Sequence, residues 1–193
     1  MGEDKLKKIQ RLKVGIAGAG GLGSNCAFNL VRSGLKRLKI IDFDVVEAAN
    51  LNRQFYFFDQ VGMPKVVALK TNLLRINPDL ELEAVQNKIT DSNIGGVFRD
   101  CDVVVEAFDE VMCKIMIIET FFSSGKLLVA ASGLGGWGSS DDIIVREIRP
   151  KFYLIGDLIS EVNADKPPVS PRVNIAAAKQ ADVILDCIIK GLI

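Results

Sequence analysis

Gly18-Ala19-Gly20-Gly21-Leu22-Gly23-Ser24 sets three glycines at G-x-G-x-x-G spacing between a short apolar run and a helical pattern. Gly18 permits a tight turn, Gly20 lets a phosphate approach the backbone, and Gly23 allows a helix to pack closely. A helix starting there offers free N–H groups and the positive end of its dipole to an anion. Asp42 follows Gly23 by nineteen residues, where a carboxylate can accept from ribose hydroxyls. The glycines alone also fit a merely structural turn; the acid and the flanking elements favour a nucleotide.

The elements that must position these residues alternate. Val14-Gly15-Ile16-Ala17 reads as a first strand, Ser24 to Ser33 as a helix ended by Gly34, and Leu38-Lys39-Ile40-Ile41 as a second strand. Lys65 to Ile76 repeats Val66, Leu69, Leu73 and Ile76 on one face, with Pro64 at its start and Asn77-Pro78 at its stop. Leu82 to Val85 predicts a strand, Asp91 to Phe98 a short helix capped by Asp91, and Val103 to Val105 a central parallel strand. Val111 to Phe122 predicts a helix, Leu127 to Ala131 a buried strand, and Ile143 to Val145 a strand of open direction. Residues 151–170, with Pro167-Pro168, predict an extended crossing loop before a last helix over 171–190. The expectation is one α/β domain over 1–193, with a doubly wound, mostly parallel, Rossmann-like sheet.

The segment from Asp42 to Gln54 reads D-x-D and then Asn50-Leu51-Asn52-Arg53-Gln54, and Gly62-Met63-Pro64-Lys65 follows. These motifs, in order and without a gap from Asp42 to Gln54, resemble the ThiF/MoeB adenylyltransferases of the ubiquitin-activating-enzyme-like superfamily. The later pieces, Phe152 to Asp157 and Pro171 to Ala181, are similar to the short ThiF family 2 of thiamine biosynthesis. The resemblance implies ATP held by Gly18, Gly20, Gly21, Gly23, Asp42, Asp44, Asn50, Arg53, Gln54 and Lys65. It implies Mg²⁺ on Asp109, which follows the Val103–Val105 strand, and catalytic roles for Arg53, Lys65 and Asp109. It also implies a ubiquitin-like sulfur-carrier partner ending in Gly-Gly, thiazole synthesis as the pathway, and a homodimer.

Charge supports ATP: MgATP brings net negative charge into a crevice, and Arg53 and Lys65 oppose it, Arg through a planar fork and Lys as a point charge. Taken singly, each also fits an ordinary surface cation. A hard cation suits Asp109 with phosphate oxygens and water. The family pattern D-x-x-D-N stands here as Glu106-Ala107-Phe108-Asp109-Glu110, with an added negative charge beside the metal position. Phe55-Tyr56-Phe57-Phe58 fits packing beneath a loop or a subunit contact better than base stacking. Gly133 to Gly138, with Trp137, fits either a flexible lip on a tail groove or a plain turn.

Other departures bound the mechanism. The C-x-x-C pairs that bind zinc in longer members are missing, so no zinc is expected. The segment before the first strand is expected to be too short to supply the arginine that reaches the partner subunit's ATP in those members. No cysteine lies in residues 151–170, and Cys26, Cys101 and Cys187 read as core packing. The expected chemistry is adenylation without a covalent enzyme–carrier intermediate.

The chain has no histidine, which removes His-based triads and the commonest general base. Lys plus Arg equals Asp plus Glu at 24 each, so composition gives no reason to expect nucleic acid or an anionic membrane as partner. Scattered thiols, and no apolar run of signal or membrane-span length, predict a cytoplasmic protein. Two rival readings stay open: an NAD(P)-dependent oxidoreductase, which leaves Arg53, Lys65 and Asp109 unexplained, and a non-catalytic nucleotide-binding scaffold.

Overall fold

The computed structural model describes residues 2–193. Strands Lys13–Ala17 (β1), Val103–Glu106 (β4) and Leu127–Ala131 (β5) are buried along their whole length. Their unbroken apolar runs therefore stand at the centre of a sheet covered on both faces. Strands Arg37–Asp42 (β2), Glu81–Gln86 (β3), Ile144–Arg149 (β6) and Phe152–Gly156 (β7) complete the order β3-β2-β1-β4-β5-β7-β6. All neighbours run parallel except β6, which lies antiparallel to β7 at one edge.

The chain runs outward from β1 to β3 and then returns to the other side of β1 as β4. The switch point thus lies between β1 and β4, where diverging connections leave a crevice above the strand ends. Helices Glu3–Arg11 (α1), Gly21–Arg32 (α2), Lys65–Leu74 (α3) and Ser170–Lys190 (α6) cover one face through a shared core. Helices Ile94–Val97 (α4) and Val111–Phe121 (α5) cover the other, around Phe98, Ile117 and Phe121. Ala176, Ala177 and Ala181 of α6 belong to the first core and are almost fully buried. Such small side chains let backbones approach closely, and α6 packs along α2.

Four expectations are corrected. The crossing loop predicted over 151–170 holds strand β7 in its first part, because Phe152-Tyr153-Leu154-Ile155 pairs with β5 and leaves only residues 157–169 irregular. A strand buried between neighbours needs no alternating pattern, which hid it from a periodicity reading. The helix predicted over 91–98 shrinks to α4, and its N-cap is Asn93, not Asp91. Asn93 instead accepts from the Thr90 N–H at 3.0 Å, forming a turn that delays the helix. Helix α2 starts at Gly21 inside the glycine motif, three residues before the predicted start. Helix α1 was not expected at all; it is strongly amphipathic, with half-buried Leu6 one turn before buried Ile9, but that narrow stripe lies in a segment dense in charge.

Gly23 lies deep in this architecture. A Cβ there would collide with the Gly18 carbonyl oxygen. Gly95 in α4 has open space around the same position. Gly23→Ala should therefore destabilise the fold by roughly 1–3 kcal/mol in urea unfolding. Gly95→Ala should be neutral or stabilising by up to about 1 kcal/mol, since it only restricts the unfolded chain.

Candidate functional site

A cleft of about 1060 Å³ opens above the carboxyl ends of β1, β2, β4 and β5. Its floor begins at Gly18, which adopts φ +100° and whose Cβ position lies 2.8 Å from the Ala107 carbonyl oxygen beyond β4. Only glycine accepts both constraints. The Gly18 N–H donates to the Ile41 carbonyl at 2.8 Å, tying the turn to β2. Gly20 is the N-cap of α2, so the first N–H groups of that helix have no partner within the helix. Gly20 and Gly21 both line the cleft. This end of the cleft is a set of donors and partial positive charge, which suits an anion.

Asp42 sets the neighbouring wall. One carboxylate oxygen accepts from the Ala19 N–H at 2.6 Å and the other from the Asp44 N–H at 2.8 Å. Lys65, at the start of α3, is 7% exposed and donates through Nζ to Asp44 Oδ2 at 2.8 Å. Arg53 donates through Nη1 to the Asn52 side chain at 2.7 Å and to the Ala49 carbonyl at 3.2 Å. Among the described residues its Nε and Nη2 meet no acceptor. Gln54 is 8% exposed, lines the cleft beside Gly20, and its Oε1 has no hydrogen-bond partner among the described residues. Asn50 does not line the cleft. It is buried and its Oδ1 accepts from the Glu47 N–H at 3.1 Å, closing a short 3-10 turn, so its amide shapes the loop that presents Arg53.

Asp109 is exposed at the opposite wall, after β4. Beneath it Glu106 is fully buried and accepts two 3.0 Å bonds from Lys114 Nζ, which also donates to the Ala131 carbonyl at 3.1 Å. Burial pushes the Glu106 carboxyl up, and Lys114 pulls against that. Among the described residues no three acids or thiols gather as a metal cage. Asp42, Asp44, Asp109, Glu110 and Glu161 line the cleft against Arg53, Lys65, Lys88 and Lys114. A polyphosphate there would meet five carboxylates against four cations, so it suits a divalent ion that takes most of its ligands from phosphate and water.

Several residues outside the motifs hold the site together. Asn25 Nδ2 donates to the Gly21 and Arg53 carbonyls at 2.7 and 2.8 Å. The Ser24 hydroxyl accepts from the Phe55 N–H at 3.0 Å, and the Tyr56 hydroxyl donates to the Ala19 carbonyl at 2.7 Å. Tyr56 was readable in principle, since a tyrosine buried among phenylalanines needs a partner for its hydroxyl. Phe55 packs on Phe28 at 4.7 Å between ring centroids, as the packing reading expected, while Phe58 stands 82% exposed.

The far end of the cleft is apolar, with Leu134, Leu158, Ile159 and Val162. Its walls are pinned by Arg172, which is 3% exposed, pairs with Asp157, and donates to the Gly138 carbonyl at 2.7 Å and the Ser139 carbonyl at 3.2 Å. The Gly133–Gly138 loop is thus tied to α6, with the Trp137 side chain out in solvent. Cys26, Cys101 and Cys187 are buried, and burial pushes the first two thiols up to about 12. Cys113 is half-buried on the cleft wall, its Sγ 3.4 Å from a Glu110 oxygen.

A doubly wound sheet with a donor-lined crevice at its switch point defines a Rossmann-like α/β protein. Within that class the chain belongs to the ThiF family, whose model matches residues 1–153. It is 30% identical over 183 residues to the adenylyltransferase and sulfurtransferase UBA4 of Candida glabrata, covering 94% of this chain and 40% of that one. It is 31% identical over 147 residues to the sulfur carrier protein ThiS adenylyltransferase of Bacillus subtilis, covering 75% and 44%. The chain therefore spans about two fifths of the length of these relatives. The solved fold of E. coli tRNA N6-threonylcarbamoyladenosine dehydratase, TcdA, in complex with ATP superposes with a TM-score of 0.84 at 22% identity, covering 99% of this chain and 89% of that one.

Acid should expose the role of the Asp157–Arg172 pair. Burial opposes ionisation of Asp157, but hydrogen bonds from the Ser160 hydroxyl and N–H and the Ile159 N–H, with the Arg172 charge, outweigh it. They draw the carboxyl from 3.8 to about 2. A carboxyl lowered on folding contributes stability that is full above about pH 4 and lost as pH falls through about 2. The contribution is about 2 kcal/mol. Urea unfolding should show wild type more stable than Asp157→Asn at pH 7, with the gap narrowing between pH 4 and pH 2.

Proposed function

We propose that this chain binds MgATP in the cleft and adenylates the C-terminal glycine of a ubiquitin-like sulfur-carrier protein. The observation that supports this most is the pairing of free helix-terminal donors at Gly20 and Gly21 with Arg53 and Lys65 around one opening. An NAD-dependent dehydrogenase, whose pyrophosphate sits on the glycine loop, would leave both cations unexplained. In this reading the Gly20 and Gly21 N–H groups receive phosphate oxygens, and Arg53 adds its unpaired fork. Lys65 exchanges its Asp44 contact for phosphate. Asp109 and phosphate oxygens would hold Mg²⁺, which supplies charge neutralisation.

The carrier's carboxylate attacks the α-phosphorus and pyrophosphate leaves. The nucleophile is already ionised at pH 7, so no general base is needed and a chain without histidine suffices. Catalysis is then alignment of two anions and neutralisation of their charge. The apolar end, with Leu134, Ile159 and Val162, gives an extended tail a wall to lie against. Residues 157–169 carry no cysteine, Cys26, Cys101 and Cys187 are buried, and burial together with the Glu110 carboxylate pushes the cleft-wall Cys113 thiol up, which fits release of the acyl-adenylate without a thioester on the enzyme.

The Bacillus subtilis relative supports a ThiS-like carrier, and the resemblance of residues 152–157 and 171–181 to the short ThiF family 2 is what suggests thiamine as the destination. TcdA is a tRNA N6-threonylcarbamoyladenosine dehydratase, but equal numbers of basic and acidic residues give this chain no surplus positive charge for a nucleic-acid partner. We also expect one adenylation domain per chain, a homodimer and a cytoplasmic setting. Exposed Phe57 and Phe58, and Val111, Met112 and Ile115 on α5, offer apolar surface for a second subunit.

ATP–pyrophosphate exchange with a small Gly-Gly-ended carrier tests the roles. Arg53→Ala and Lys65→Ala should each lower turnover by roughly 10²- to 10³-fold, and Asp109→Ala should abolish carrier-dependent exchange. Unchanged rates in both cation variants would overturn the assignment.

A further inference from the structure

The peptide joining Ala19 to Gly20 sits between the glycine turn and α2, and one contact decides which way it faces. Its carbonyl oxygen accepts from the Tyr56 hydroxyl at 2.7 Å. Tyr56 is 6% exposed and lies under the loop, thirty-seven residues along the chain. In a trans peptide the C=O and the following N–H point in opposite directions, and none of the described peptides is cis. A carbonyl drawn down onto Tyr56 therefore sends the Gly20 N–H away from the core. Gly20 lines the cleft, and among the described residues its N–H meets no acceptor.

Nothing else in the loop fixes that orientation. Asp42 grips the Ala19 N–H, which belongs to the preceding peptide. A glycine on the far side of the bond tolerates the rotated conformation at little steric cost, and the space over Gly20 is open, with its closest neighbour the Gln54 amide at 3.9 Å. A flipped peptide would present a carbonyl oxygen to the cleft and repel an anion.

We propose that Tyr56 is a positioning residue for anion binding: its hydroxyl locks the Ala19–Gly20 peptide so that the Gly20 N–H faces an incoming phosphate. The role rests on the nucleotide reading above. It acts through the backbone, so it should matter for phosphate-bearing ligands and not for the nucleoside.

Tyr56→Phe keeps the ring and its packing and deletes only the hydroxyl. Calorimetric titration of wild type and variant with MgATP and with adenosine, where both proteins are fully folded, separates the outcomes. The latch predicts roughly 3- to 10-fold weaker MgATP binding in the variant and unchanged adenosine binding. As a second readout, the Gly20 amide resonance should shift with added pyrophosphate in wild type and respond less in the variant. Equal weakening of both ligands would make Tyr56 a packing residue only, and no change in either would remove the latch. Wild type that binds MgATP no better than adenosine would overturn the nucleotide reading itself, a result visible before any substitution is made.

Discussion

Asp42 joins the two halves of the crevice. One of its oxygens holds the Ala19 N–H of the glycine turn and the other the Asp44 N–H of the following loop, at 2.6 and 2.8 Å. The loop that carries Arg53 and leads to Lys65 is thereby referenced to the same carboxylate as the turn that carries Gly20. Charge-assisted bonds of this kind are about twice as strong as neutral ones. Asn25, Ser24 and Tyr56 add further ties between the two segments. The wall of the crevice is thus a bonded loop clamped to a strand end.

Three ion pairs sit at or beneath the crevice: Lys65–Asp44, Lys114–Glu106 and Arg172–Asp157. Each places a largely buried charge where desolvation is costly, so none is a cheap source of stability. Their positions explain them better than their energies do. Lys65 holds a cation ready in the cleft, Lys114 fixes the floor under Asp109, and Arg172 pins the Gly133–Gly138 loop. The remaining charged cluster, Lys13 and Lys39 with Glu83 and Asp100, lies toward the other end of the strands and links β1, β2 and β3 to the turn before β4.

Much of this was legible in the sequence because it depends on local chemistry. The glycine turn, the apolar strands β1, β4 and β5, and the helix behind Pro64 all announce themselves through residue type and spacing. What stayed hidden depends on tertiary contact. Strand β7 has no alternation to detect because both its faces are covered, and the apolar stripe of helix α1, Leu6 and Ile9, is set among charged residues. Asn50 fits a motif for ligand contact, yet its amide caps the turn that delivers Arg53. Tyr56 bonds to a carbonyl thirty-seven residues away, a pairing that only the fold creates.

Activation of a carrier carboxylate with ATP is the work proposed for the crevice. It is tested most directly by mass spectrometry of a Gly-Gly-ended carrier incubated with the protein and MgATP, with the nucleotide products resolved. The expected products are a carrier heavier by one adenylyl group, formed with pyrophosphate release, and AMP as the nucleotide left once the adenylate is consumed. Formation of ADP, or an unmodified carrier with a protein that binds NADH in place of ATP, would contradict the proposal.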